Sequence, residues 1–191
     1  MKQIILSSLL LTTLFVTGIT QSAAQTAGYK AGTITTDDGT KKEGFIKESF
    51  KGKASLQFQS ADGKKTIYSG ADIKEVSIEG VVYITYLSDF FKVIKSGEKV
   101  SLFQKASDAS GKLLYNGADV VGVSTGTEGA INDLFVRKNG EQTLVLVTRK
   151  NMEVVLSEKF SDCSALAESI KNKKISYEEI EKIVQQYNDC K

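Results

Sequence analysis

Histidine is absent from this chain, and with it the commonest general base and the commonest metal ligand. Only two cysteines are present, Cys163 and Cys190, so no zinc site of the Cys/His type can be assembled within one chain. Arginine is almost as scarce: Arg137 and Arg149 are the only two, too few for a cluster that grips phosphates or carboxylates bidentately. Proline and tryptophan are missing altogether, which leaves the turns to Gly, Asn, Asp and Ser. Charge of one sign is lacking too. Twenty-five basic residues against 23 acidic ones give a net of +2, and no basic run exceeds two residues. That balance argues against nucleic acid as a partner.

What is present begins with MKQIILSSLLLTTLFVTGITQSAAQ. Lys2 starts it, an apolar stretch of about 16 residues follows, and Ser22-Ala23-Ala24 supplies small side chains for cleavage after Ala24. The stretch is shorter than the roughly 20 residues a spanning helix needs. Residues 1–24 therefore read as a secretory signal peptide, and no Cys follows to carry a lipid anchor. The expected mature chain, residues 25–191, is secreted or periplasmic and not membrane-spanning, and is long enough for one domain with a sizeable core.

Residues 28–150 follow strand-and-turn grammar, with short alternating runs broken by Gly, Asn and Asp. Hairpins are expected around Asp37-Asp38-Gly39, Ala61-Asp62-Gly63 and Ser96-Gly97, and two weaker strands at Lys112–Tyr115 and Asp119–Val123. In DLFVRKNGEQTLVLVTRK, Asn139-Gly140 is a favoured type I′ pair, setting Phe135 across from Leu144 and Leu134 across from Val145. Both faces of that hairpin are apolar, which predicts a central place in a sheet. The glycine-rich stretch between Ala106 and Asn132 is expected to stand partly apart from the body.

Residues 158–190 change period. Cys163, Leu166, Ala167 and Ile170 share one helical face, as do Ile180, Ile183, Val184 and Tyr187. Ser176 and Glu179 form an S-x-x-E capping box. Cys163 opens the first helix and Cys190 closes the second, so an antiparallel pair would bring the two sulfurs together. A redox pair needs C-x-x-C spacing, and a metal would find no further ligands. In an oxidising compartment these features predict a structural disulfide, Cys163–Cys190.

Several local patterns imitate chemistry. Gly122–Gly126, GVSTG, matches the nucleophile elbow around Ser124, but no helix-forming segment follows and no His exists to take the serine proton. The same glycines lack the G-K-[ST] of a phosphate loop. The Asp-Gly turns lack the alternating oxygen ligands of a calcium loop. Tyr83, Tyr86 and Tyr115 could line a cleft, but aromatics at strand period more often pack across strands. No catalytic residue, metal ligand or cofactor is expected.

GYKAGTITTDDGTKKEGFIK, FFKVIKSGEKVSLFQ, DLFVRKNGEQ and FSDCSALAESIKNKKISYEEIEKIVQQYNDC, in that order, resemble a family of exported Bacteroidota proteins with no assigned activity. The D-C…Y-N-x-C ending is the most specific part of the resemblance. It implies export and the disulfide, and carries over no activity, cofactor or catalytic residue.

Strands first and helices last predict an α+β domain, with an antiparallel sheet curled into a partial barrel or sandwich and a helical hairpin against it. Three function classes follow: a non-enzymatic envelope or secreted protein that binds a macromolecule, a binder of small apolar ligands, and a hydrolase using carboxylates or Lys.

Overall fold

The computed structural model describes residues 27–116 and 119–191, and the side chains of residues 114–116 are not among what it describes. The expected signal peptide and its cleavage point at Ala24 lie outside the described residues. The fold is α+β, as expected. Twelve strands are described: β1 Lys30–Thr36, β2 Lys41–Ser49, β3 Ser55–Gln59, β4 Lys65–Ser69, β5 Ile73–Ile78, β6 Val81–Tyr86, β7 Asp89–Lys95, β8 Val100–Lys105, β9 Leu113–Asn116, β10 Asp119–Val123, β11 Leu134–Lys138 and β12 Val145–Val147. A single helical turn, α1 Phe50–Lys53, links β2 to β3, and the chain ends in α2 Met152–Lys159, α3 Ser164–Lys171 and α4 Ile180–Asp189.

Ten strands form one open antiparallel sheet in the order β12-β11-β8-β7-β6-β5-β1-β2-β3-β4. Two meanders build it, β1 to β4 and β5 to β8, joined where β5 returns to pair with β1. The first two hairpins share one turn chemistry. Thr36 donates to the Asp38 carboxylate (2.6 Å), which also accepts from the Thr40 amide, while Ser60, Asp62 and Lys64 repeat the arrangement. These Asp residues fold their own turns, and Gly39 and Gly63 supply the positive φ.

The type I′ geometry expected at Asn139-Gly140 occurs elsewhere. Glu79-Gly80 and Leu87-Ser88 each have positive φ at both central residues, and they join β5 to β6 and β6 to β7. Asn139 does not adopt positive φ. Its side-chain amide donates instead to the carbonyls of Gly97 and Glu98 in the neighbouring turn. The β11–β12 loop is correspondingly longer, and the register moves by two residues, pairing Phe135 with Leu146 and Val136 with Val145. A shift of two leaves every side chain on its expected face. The hairpin is also not central: β11 is, but β12 is an edge strand. Apolar residues suit both faces of β12 because both are covered, Val147 by the helices and Leu146 by a second core of Phe91, Phe103, Phe135 and Leu144.

Cross-strand register defines the other faces. Ile34, Val76, Tyr83, Lys92, Gln104, Leu134 and Val147 lie in one row running across seven strands. At one end the face is filled by Ile34, Ile46, Leu56, Phe58, Val76, Ile78 and Phe90, with Phe50 from α1 stacked on Phe90 at 4.4 Å. The paired glycines Gly32 and Gly44 make this possible, since a Cβ there would strike Ile46 and the Phe58 ring at 2.7 Å. At the other end Val100, Leu102, Val136 and Val147 pack against α2, α3 and α4 through Leu156, Phe160, Ile170, Ile183 and Val184.

The helical region begins at Met152, earlier than residue 158, and holds three helices where a hairpin was expected. The first of these, α2, carries no clean apolar stripe in its sequence, because apolar Val154 is exposed and polar Ser157 is buried. Val155 packs against the helical core. The capping box forms, with the Ser176 amide donating to Glu179 at 3.2 Å. No helix among the described residues is long and apolar enough to cross a membrane.

Candidate functional site

Between the two apolar ends of the sheet face the cross-strand row turns polar, at Tyr83, Lys92 and Gln104. The C-terminal helices cover the face over β8, β11 and β12, with α4 reaching Ile94 of β7, and α1 covers the other end, so this polar row floors a cleft of about 350 Å³. Glu48, Ser49, Phe50, Lys51 and Gly52 form one wall, and Ala106, Ile131 and Asn132 form the opposite one. The short helix α1 is what puts Phe50 and Lys51 here. Ala54 at φ 48° stops it after one turn, its amide closing on the Phe50 carbonyl, and the chain returns directly into β3. Phe50 then lies against Tyr83 with ring centroids 4.9 Å apart.

Lys92 is half-buried on the cleft floor, and its side-chain ammonium makes no hydrogen bond or ion pair among the described residues. Gln104 donates across to the Asn132 carbonyl at 3.5 Å. Asn132 adopts φ 79°, a left-handed conformation that Asn tolerates better than most residues. Burial, with the negative charge of Glu48 adding to it, raises the Tyr83 phenol above its ordinary pKa. At neutral pH Tyr83 therefore keeps its proton and is available as a donor.

A second polar constellation lies on the opposite face of the sheet and is fully buried. Asp89 and Lys105 are both inaccessible, with the ammonium 3.3 Å from the carboxylate. Asp89 also accepts from Ser107 Oγ (3.0 Å), the Ala109 amide (2.7 Å), the Thr127 amide (2.8 Å) and Thr127 Oγ1 (2.7 Å). Lys105 donates to the carbonyls of Thr127, Glu128 and Gly129. Every donor and acceptor is thereby used, and the pair ties the loop between β8 and β11 down onto the sheet. Gly126 completes the packing. Its φ is +62°, and a Cβ would meet Ser110 Oγ at 2.5 Å.

Ser124, at the centre of the elbow-like GVSTG, belongs to this same loop. It is buried, its Oγ accepts from the Gly126 amide at 3.1 Å, and loop rather than helix follows it. The glycine-rich stretch does project a separate two-stranded ribbon, β9–β10, with Leu113, Val120, Val121 and Val123 exposed. Of the tyrosines singled out from the sequence, Tyr83 lines the cleft and Tyr86 packs against the Phe91–Phe103–Phe135 core. The side chain of Tyr115 lies outside the described residues. Among the described residues no group of three or more His, Cys, Asp or Glu side chains is placed to hold a metal ion.

Cys163 and Cys190 form the expected disulfide, at the start of α3 and the end of α4. The whole D-C…Y-N-x-C pattern proves to be one fastening node. Tyr187 donates to Asp162 at 2.7 Å and stacks on Phe160 at 4.1 Å. Asp162 is held below the ordinary carboxylate range by that hydrogen bond first and by Lys138 second. Asn188 accepts from the amides of Lys99 and Val100 (2.9 and 3.1 Å) and donates to the carbonyls of Val100 and Val184. These residues lock α4 to β8, which makes the pattern architectural.

Sequence reasoning missed Lys92, Gln104 and Asp89 as site or network members. Lys92 and Gln104 interrupt otherwise apolar alternation, and that was the available signal; Asp89 followed by two phenylalanines carries none. Comparison with family models, with curated proteins and with solved structures finds no match in any of the three.

Proposed function

We propose that this chain is a non-catalytic binding protein of the cell envelope or its exterior, and that the cleft between the two cores receives its ligand. The cleft carries the reading: an open, partly aromatic depression floored by half-buried Lys92, whose ammonium has no carboxylate partner among the described residues. Binding is favoured over catalysis because the two groups best suited to proton transfer, Asp89 and Lys105, are each other's partners beneath a closed loop. Ser124 is engaged in its own turn. An enclosed apolar-ligand site is less favoured, since the sheet face beside the cleft is filled by its own Ile, Leu, Val and Phe side chains. Export is supported by the amino-terminal sequence and by the disulfide, which persists in oxidising compartments.

The test is a thermal-shift screen of the mature chain against a library balanced in acidic, basic and neutral small molecules. It is run beside a Lys51→Trp variant whose indole fills the cleft. Ligands are expected to raise the wild-type melting midpoint and not that of the variant. A library with no member showing this dependence would refute the reading.

A further inference from the structure

Resting on the cleft as a binding site, we infer that its ligand is a small organic anion, an acid group on an apolar or aromatic body, with Lys92 supplying the counter-charge. Other lysines of the surrounding fold are engaged. Lys105 meets Asp89, Lys42 donates to the Tyr68 hydroxyl, Lys138 pairs with Asp162 and Lys159 with Glu141. Lys112 reaches the Gly52 carbonyl at the cleft rim, at 3.4 Å. Lys92 stands on the sheet floor, half-buried between Tyr83 and Gln104 in the cross-strand row, with no anionic partner among the described residues. An ammonium partly removed from water gains most from an ionised partner.

The lining supports the same sign. Lys51 and Lys92 face one acid, Glu48, so the cleft carries a positive excess. The remaining uncharged polar side chains, Ser49, Tyr83, Gln104 and Asn132, can each donate to an acid's oxygens. Phe50 and Tyr83 offer ring surface to an apolar body, and about 350 Å³ falls at the small end of ligand pockets. Inorganic anions would leave that aromatic wall unused, so the body matters as well as the charge.

The experiment titrates the mature chain, at low ionic strength, with benzoate, phenyl phosphate, inorganic phosphate and uncharged benzamide. Amide and side-chain NMR shifts are followed, with calorimetry alongside. Benzoate or phenyl phosphate is expected to move Tyr83, Gln104 and Asn132 resonances and to bind at least about tenfold more tightly than benzamide, as one charge-assisted hydrogen bond allows. Which of the two acids binds better tells carboxylate from phosphate ligands. Lys92→Gln should lose about that tenfold while its melting midpoint stays put, and Lys51→Gln should lose less. Equal binding of benzamide, undiminished binding by the Lys92→Gln variant, inorganic phosphate binding as well as phenyl phosphate, or no shift with any probe would overturn the inference. If neutral or basic library members still bind in a Lys51→Trp-sensitive way, only the ligand class falls and the binding role stands.

Discussion

Replacing Asp89 by Ala is the perturbation with the largest consequence written into this fold. The carboxylate is fully buried and collects four hydrogen bonds from residues 107–127 besides the Lys105 ammonium. Four bonds to a charged acceptor, at about 1.5–3 kcal/mol each, would sum to about 6–12 kcal/mol, comparable to the whole stability of a domain. Relaxation and water entry reduce this. Removing one partner of a buried ion pair typically costs about 3–5 kcal/mol. With a urea m-value of about 2 kcal/mol/M, the midpoint should fall by about 1.5–2.5 M. The chain has no Trp, so far-UV circular dichroism is the natural probe. Lys105→Met should cost less, because Asp89 keeps all four of its other donors. Combining the two changes should cost less than their sum, since the second removes the ammonium that the first leaves unpaired. A midpoint for Asp89→Ala within about 0.5 M of wild type, or strict additivity, would refute the view that this pair anchors the loop.

The remaining predictions concern the periphery and the helices. Cys163→Ala opens the loop closed over a separation of 27 residues, and should cost about 3–4 kcal/mol on chain entropy, read as a lower urea midpoint. Asn188→Ala strands the Lys99 and Val100 amides, and should cost about 2–3 kcal/mol with faster hydrogen exchange at the end of α4. Ser176→Ala removes the N-cap and should cost about 1 kcal/mol by the same denaturation assay. The Thr36 hydroxyl first, and the Thr40 amide second, lower the Asp38 carboxyl to about 2. A depressed folded-state pKa contributes stability that is complete above the unfolded value of about 3.9 and is lost as pH falls through the folded one. NMR titration should place its midpoint near 2, and Thr36→Val should move it upward; a midpoint near 4 in the wild type would contradict the turn geometry.

The polar cleft illustrates why a function is harder to read than a fold. Lys92 and Gln104 are separated by a turn in the chain and meet only because β7 and β8 pair in one particular register, which a bulge between Val93 and Lys95 interrupts. Phe50 and Lys51 join them from a segment some forty residues earlier, through a one-turn helix that ends on a left-handed Ala54. Nothing local in EGFIKESFKGKAS announces that helix. Asp89 is similar: a single acidic residue before two phenylalanines carries no pattern, and its partners come from two distant parts of the β8–β11 loop.

Alternation of apolar residues, Asp-Gly turn chemistry, the S-x-x-E cap and the spacing of Cys163 and Cys190 act over a few residues or one helical repeat, so the sequence alone determined the strands, most turns, the last two helices and the disulfide. Even the misplaced type I′ turn kept every side chain of β11 and β12 on its expected face, because the error was two residues and strand period is two. The order of ten strands, the edge position of β12, the third helix and the meeting of Lys92 with Phe50 were decided only by tertiary structure. Each depends on which distant surfaces bury one another, and that energy belongs to pairs of segments and is written in neither one alone.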